Sequence, residues 1–176
     1  QGTPTMGGII MIIAIIIAVT GTYIFLHLSG NQEIAQKLFP MLLITIGYGL
    51  IGFIDDFIKV VKKRNLGLRA LPKFLLQMLF AAVYLLVLEL LGELKCEINV
   101  PFTSFVINMP VWIYVIFALV VVTGTVNAVN LTDGLDGLAS SVTAVVALFF
   151  ALCGFAKGDE GVFTFGVAVV GGLLGF

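Results

Sequence analysis

The chain has 176 residues, of which 60% are hydrophobic and 11% charged, with a mean hydropathy of +1.18. A soluble domain carries about 25% charged residues, so this chain lacks the polar surface to face water all round and divides instead into bilayer spans of about 20 residues. The net charge of −1 argues for neither nucleic acid nor an acidic partner, while two cysteines (Cys96, Cys153) and one histidine (His27) exclude a disulfide framework, a thiolate zinc site, His-based metal clusters and a Ser-His-Asp triad within this chain.

Taken in order, Met6 to Leu28 is uncharged, rich in Ile and long enough to span. Leu38 to Ile54 is a second uncharged run, and Phe74 to Leu91 a third, interrupted only by Glu89. Pro101, Asn108 and Pro110 break the next uncharged stretch, so Ile98 to Met109 reads as a short re-entrant or extended connection. Val111 to Ala128 is the fourth span, Gly137 to Ala156 the fifth, and Gly161 opens a sixth that runs to the end of the sequence. Runs near 20 residues without period-2 alternation favour helices over strands. The fold class expected is all-α, a polytopic transmembrane bundle of about six spans. It forms a single integral-membrane domain over residues 1–176. The sequence opens at Gln1 without an initiator Met or signal peptide and stops at Phe176 inside an apolar run, so an internal portion of a longer protein is expected.

Parity then sorts the loops. If each run crosses once, the residues before Met6, from Asp55 to Lys73 and from Asn127 to Asp136 share one side. The segments around Gln32, Cys96 and Lys157 to Glu160 share the other. Six of the nine Lys and Arg residues (Lys59, Lys62, Lys63, Arg64, Arg69, Lys73) fall in the single loop after the second span. Basic excess marks the cytoplasmic side, so the polar clusters are expected on the inner face.

Three of those clusters carry chemistry. Asp55 and Asp56 end the second span in GFIDDFIK. Adjacent carboxylates at a membrane boundary repel each other and are costly to desolvate, so a divalent cation or the basic loop must favour their charge. Asp55 and Lys59 are four apart and share a helical face; a simple cap paired with Lys59 explains the acids equally well. The segment NAVNLTDGLDGL, Asn127 to Leu138, sets two Asn, two Asp and a Thr beside Gly134 and Gly137. Asp133 and Asp136 project to one side if the backbone is helical, and the glycines permit close approach by a ligand. Oxygen ligands of this kind suit Mg²⁺, which takes one or two carboxylates plus phosphate oxygens. A polar turn with Asn130 and Asp133 as caps would need fewer such residues. The opening GTPTMGG, with Thr5, can hold an anion before a helix N-terminus, although an ordinary turn uses the same residues. Lys73 stands at the start of the third span, near Gln77 on one face, within reach of a phosphate at the interface. His27, Trp112 and Glu89 have no motif around them and read as interfacial or packed residues.

In this order, GTPTMGG, GFIDDFIK and NAVNLTDGLDGLA resemble the polyprenyl-phosphate N-acetylhexosamine-1-phosphate transferases, most of all the branch that uses UDP-MurNAc-pentapeptide, over essentially the whole chain. The resemblance implies a Mg²⁺-dependent enzyme of the bacterial inner (plasma) membrane, multi-pass, with its active site on the cytoplasmic face. It would transfer phospho-MurNAc-pentapeptide to undecaprenyl phosphate, giving lipid I for peptidoglycan and releasing UMP. It implies catalytic roles for Asp55, Asp56 and Asp133, with Asp55 and Asp56 as candidate metal ligands. It implies substrate binding by Thr5, Lys59, Lys73, Asn130, Gly134, Leu135 and Asp136, and it leaves a homodimer open. Direct attack and a covalent aspartyl-phosphate intermediate are both compatible with the acid pair. Two features of the family are absent from these residues: a later GD-x-GS motif carrying the main expected metal ligand, together with a His-rich loop, and a Lys before GTPT. Asp159 in KGDEG superficially looks like the GD motif, but parity places it outside. The rivals are a sister transferase using UDP-GlcNAc, an ion-coupled transporter, which needs acids near mid-bilayer and an inverted repeat, and a structural membrane subunit, which has no use for the acidic cluster.

Overall fold

The computed structural model describes residues 7–63, 66–100 and 103–175. Helices dominate, as required where no water is present to satisfy backbone N–H and C=O groups. They are α1 (Gly8–Leu28), α2 (Gln32–Lys62), α3 (Ala70–Leu90), α4 (Val111–Thr132), α5 (Leu138–Lys157) and α6 (Glu160–Leu174). The first five are long and apolar enough to cross a membrane. The all-α polytopic reading stands, with one shortfall: α6 has 15 residues, fewer than a full span requires.

Two boundaries differ from the sequence expectation. The second span was expected to stop at Ile54, yet α2 runs 31 residues to Lys62. That is about 46 Å at 1.5 Å per residue, well beyond a hydrocarbon core of about 30 Å. Asp55 and Asp56 therefore sit inside a helix, followed by two more turns. Lys63 ends it in the left-handed conformation, φ 46°. The Pro-broken connection is a small antiparallel hairpin, β1 (Glu97–Asn99) with β2 (Val106–Asn108), in the register Glu97 to Asn108.

Contacts between helices fix which ends lie together. Gly49 of α2 backs onto Ile12 near the start of α1, while Gly161 at the start of α6 backs onto Lys37 near the start of α2. One end of the bundle thus gathers the start of α1, the last turns of α2, the start of α3 and the α4–α5 turn. The opposite end holds the hairpin and the α5–α6 turn, together with His27, Glu89 and Trp112 in the terminal turns of their helices. Asp159 also lies there, where its carboxylate accepts the Val162 N–H at 3.1 Å as the N-cap of α6. That local role accounts for its presence.

The packed core is small. Ile15, Val19 and Leu38 are buried beneath Tyr23, Leu26, Leu42 and Phe165, whereas long rows of Ile, Leu, Val and Phe are exposed. In a bilayer such rows face acyl chains, which are as apolar as the side chains themselves. Close approach between helices then relies on small residues. At Gly47, a Cβ would collide with the ring of Phe80 on α3. We expect Gly47→Leu to force α2 and α3 apart and to cost about 1–3 kcal/mol through overpacking. Thermal unfolding of the full-length chain in detergent tests this, and a variant that melts with its parent contradicts the close α2–α3 crossing.

Candidate active site at the carboxylate end of the bundle

The α2 periodicity puts Asp55 and Lys59 on one face, as expected from their spacing of four. Lys59 Nζ lies 2.9 Å from Asp55 Oδ2 and 2.8 Å from Asp56 Oδ1. Lys73 Nζ, from the first turn of α3, adds a cation 3.6 Å from Asp55 Oδ2. The chain after α2 folds back so that the Leu68 N–H donates to Asp55 Oδ1 at 2.8 Å. Both oxygens of Asp55 are therefore engaged. Its side chain is 9% exposed against 47% for Asp56. A carboxylate so shielded is costly unless it is paired and hydrogen-bonded, and here two ammonium groups and an amide compensate it. Gly67 allows the fold-back, because a Cβ there would overlap Asp55 Oδ1 and lie 2.6 Å from the Asp55 carbonyl oxygen.

Lys73 also donates to Asn130 Oδ1 at 3.4 Å. This contact joins GFIDDFIK to the NAVNLTDGLDGL segment, 57 residues apart in sequence from Lys73 to Asn130. Two of the three motifs that parity assigned to one side, GFIDDFIK and NAVNLTDGLDGL, thus meet at one end of the bundle.

Beyond Asn130 the geometry differs from the helical option. Asp133 closes α4 at ψ 58°, and Asp133 to Gly137 form a turn. Gly137 precedes α5 at φ 80°, a conformation that favours glycine. Asp133 and Asp136 therefore do not share a helical face. Asp133, Gly134, Leu135 and Asp136 are all exposed. The site is an engaged cluster around Asp55 beside an open acidic turn. Thr5 lies outside the described residues.

Sequence reasoning missed three participants. The Leu68 amide and Gly67 act through the backbone, which residue type alone does not signal. The third is the pairing of Asn127 with Gln77, both named from the sequence but not as partners: the Asn127 amide donates to Gln77 Oε1 at 2.8 Å and to the Thr123 carbonyl at 2.8 Å. A buried Gln and an Asn, each one turn from a site residue within apolar helices, carried a signal that was readable.

Metal ligands can be judged from the donors present. Among the described residues no group of three His, Cys, Asp or Glu side chains converges. Asp55 has both oxygens occupied, while half-exposed Asp56 keeps its second oxygen without a hydrogen bond among the described residues. That suits a cation which takes one or two carboxylates and completes its shell with water and phosphate, with Asp56 better suited than Asp55. An apolar cavity of ~330 Å³ between α2, α3, α5 and α6, lined by Met41, Tyr84 and Phe150 among others, shares no residue with the cluster.

Residues 38–176 match the family model described as glycosyl transferase family 4. Over its whole length the chain is 45% identical to the phospho-N-acetylmuramoyl-pentapeptide-transferase of Bacillus velezensis and 42% identical to that of Bacillus subtilis, covering 52% of each. It is 45% identical to the protein of the same name from Desulforamulus reducens, covering 99% of this chain and 51% of the relative. The chain thus spans about half the length of the curated relatives it matches. The relatives are transferases by name, and the span of the family match shows that this chain belongs to glycosyl transferase family 4.

Proposed function

We propose that this chain is part of an enzyme that transfers phospho-MurNAc-pentapeptide from UDP-MurNAc-pentapeptide to undecaprenyl phosphate, giving lipid I and UMP. The relatives' names supply the sugar and peptide. The observation that carries the reading is Lys73, which touches Asp55 of one motif and Asn130 of the other. A transporter reading has no support from this arrangement, since the acids cluster toward one end of the bundle rather than at mid-span.

The chemistry follows from the charges. An oxygen of the lipid phosphate attacks the sugar-bearing phosphorus of the diphosphate, the bond from that phosphorus to the bridging oxygen breaks, and UMP leaves with the electron pair. An alternative begins with attack by a carboxylate, forming an aspartyl-phosphate that the lipid phosphate then resolves. In either case Asp56 is better placed than Asp55, because Asp55 is held by Lys59, Lys73 and the Leu68 amide. Asp55 fixes the two ammonium groups where phosphate oxygens must sit. Asn130, Asp133, Gly134, Leu135 and Asp136 form the exposed face toward the nucleotide. Thr5 is proposed to bind substrate on the likeness of its GTPT motif to the family's alone.

Four carboxylates (Asp55, Asp56, Asp133, Asp136) stand against two ammonium groups (Lys59, Lys73) in these motifs. A polyanionic substrate meets net repulsion there, which supports a requirement for Mg²⁺. Asp56 is the residue that fits it in this chain. A bound Mg²⁺ supplies charge neutralisation and orientation of phosphate oxygens. The soluble nucleotide and the basic loop after α2 support a cytoplasmic-facing site in a bacterial inner membrane; reagent labelling that placed Asp56→Cys and Asp133→Cys on opposite leaflets overturns that topology.

The full-length enzyme is expected to release UMP from UDP-MurNAc-pentapeptide and undecaprenyl phosphate, with loss of release on chelation of divalent cations. Release from UDP-GlcNAc in its place sinks the substrate assignment. Asp55→Asn and Asp133→Asn should each reduce UMP release about a hundredfold or more while leaving the protein folded, and near-normal turnover in either removes that residue from the site. Gly67→Ala should push the fold-back off Asp55. Faster hydrogen exchange at the Leu68 amide and slower UMP release are the expected readouts, and an unchanged exchange rate counts against the fold-back as a support of Asp55.

A further inference from the structure

One helical layer toward mid-bundle from the charged cluster lies a second set of polar contacts that the proposed chemistry does not use. Gln77 on α3 is 1% exposed. Its side-chain oxygen accepts from Asn127 of α4 at 2.8 Å, and its backbone carbonyl accepts the hydroxyl of Tyr48 on α2 at 2.9 Å. Thr123, one turn before Asn127 on α4, donates to Met78 Sδ, the residue after Gln77, at 3.3 Å. The residues of this node and those of the charged cluster lie on the same three helices. Tyr48 precedes Asp55 by seven residues, Gln77 follows Lys73 by four, and Asn127 precedes Asn130 by three. Each interval is close to a whole number of turns, so every node residue shares a face with one cluster residue. The signs also agree, because α3 runs opposite to α2 and α4. The three intervals all lead from the node toward the same end.

From this register we infer that Gln77 and Asn127 are positioning residues, which set the height and rotation of α3 against α4 so that Lys73 reaches Asn130 and Asp55 together. Apolar packing specifies helix register weakly, because Leu or Ile rows can slide by a turn and still find apolar neighbours. The bond between buried Gln77 and half-buried Asn127 is satisfied in one register only, and any other leaves the Gln77 amide unpaired where no water reaches it. The node needs the most rigidity where the cluster is loosest, since the Lys73 contacts are the longest there, at 3.4 and 3.6 Å. This inference rests on the transferase reading for what is positioned, but not for the register itself.

The test uses full-length protein with Cys96 and Cys153 replaced by Ser. The pair Lys73→Cys and Asn130→Cys is joined with a short bis-maleimide, in parallel with the deeper pair Met78→Cys and Thr123→Cys, roughly one to two turns further into the bundle. Adding Gln77→Leu should cut the yield at 73/130 several-fold while leaving the 78/123 yield intact. In protein without the cysteine pairs, Gln77→Leu should lower kcat for UMP release about tenfold, with little change in the KM for UDP-MurNAc-pentapeptide. The double variant Gln77→Asn with Asn127→Gln keeps the combined reach of the two amides and should restore both the cross-link and kcat. An unchanged 73/130 yield in Gln77→Leu overturns the inference, and loss of both cross-links overturns it in favour of general packing. If the parent enzyme releases no UMP from these substrates the functional reading fails, while the cross-linking result still decides the register.

Discussion

A carboxylate that water barely reaches must collect donors from the protein, and the requirement at Asp55 organises this end of the molecule. Lys59 comes from the same helix, Lys73 from the next, and the Leu68 amide from the chain between them. Each donor arrives on a different piece of backbone, so satisfying one side chain ties α2, the fold-back and α3 together. Lys73 extends the tie to α4 through Asn130. In an aqueous setting such pairs would contribute little, because solvent competes for both partners. Here desolvation makes an unpaired Asp55 expensive, and that penalty gives the contacts their force.

The same argument separates two neighbouring acids. Asp55 and Asp56 are adjacent in sequence but a helix points them about 100° apart. One turns toward the bundle and is enclosed; the other keeps 47% of its side chain in solvent. Enclosure makes Asp55 a fixed point for two cations. Exposure leaves Asp56 with an oxygen to offer. A pair that looks redundant in the sequence is divided by geometry into an enclosed, fully bonded acid and an exposed one, and the carboxylate exposures carry that division.

Much of this was legible before any coordinates. Uncharged runs near 20 residues gave the spans, since nothing but a helix can satisfy its backbone in lipid. The crossing count gathered the three polar motifs on one side, and the Lys73–Asn130 contact brings two of them into touch. Spacing of four predicted the Asp55–Lys59 pair. What escaped depends on backbone conformation rather than residue type. The Leu68 amide is available to Asp55 only because Gly67 lets the chain approach, and nothing in the letters LGLR announces that. The extension of α2 through Lys62 was hidden because charge ends a hydropathic run without ending a helix. Asp133 and Asp136 fail to share a face because the chain turns there, with Gly137 at positive φ leading into α5, and a three-residue spacing carries meaning only inside a helix.

The contrast between the two halves of the site has its own physical logic. At Asp55 both carboxylate oxygens have donors, and they come from several elements. In the turn from Asp133 to Gly137 the side chains are exposed, and the hydrogen bonds seen there are made by the backbone, such as the Gly134 N–H to the Thr132 carbonyl at 2.8 Å. On the proposed reading, the rigid cluster, in which Asp55 and Asp56 are balanced by Lys59 and Lys73, is the surface that meets a membrane-bound phosphate confined by its own chain. The open polar turn beside it is, on the same reading, the surface for a large soluble partner that arrives already hydrated. Binding at the first costs little reorganisation, because the ammonium groups are fixed in advance. Binding at the second, on that reading, would recruit the exposed side chains of Asp133 and Asp136. The proposed reaction between a lipid and a water-soluble donor needs both kinds of surface in contact, and Lys73 touches both, through Asp55 and Asn130.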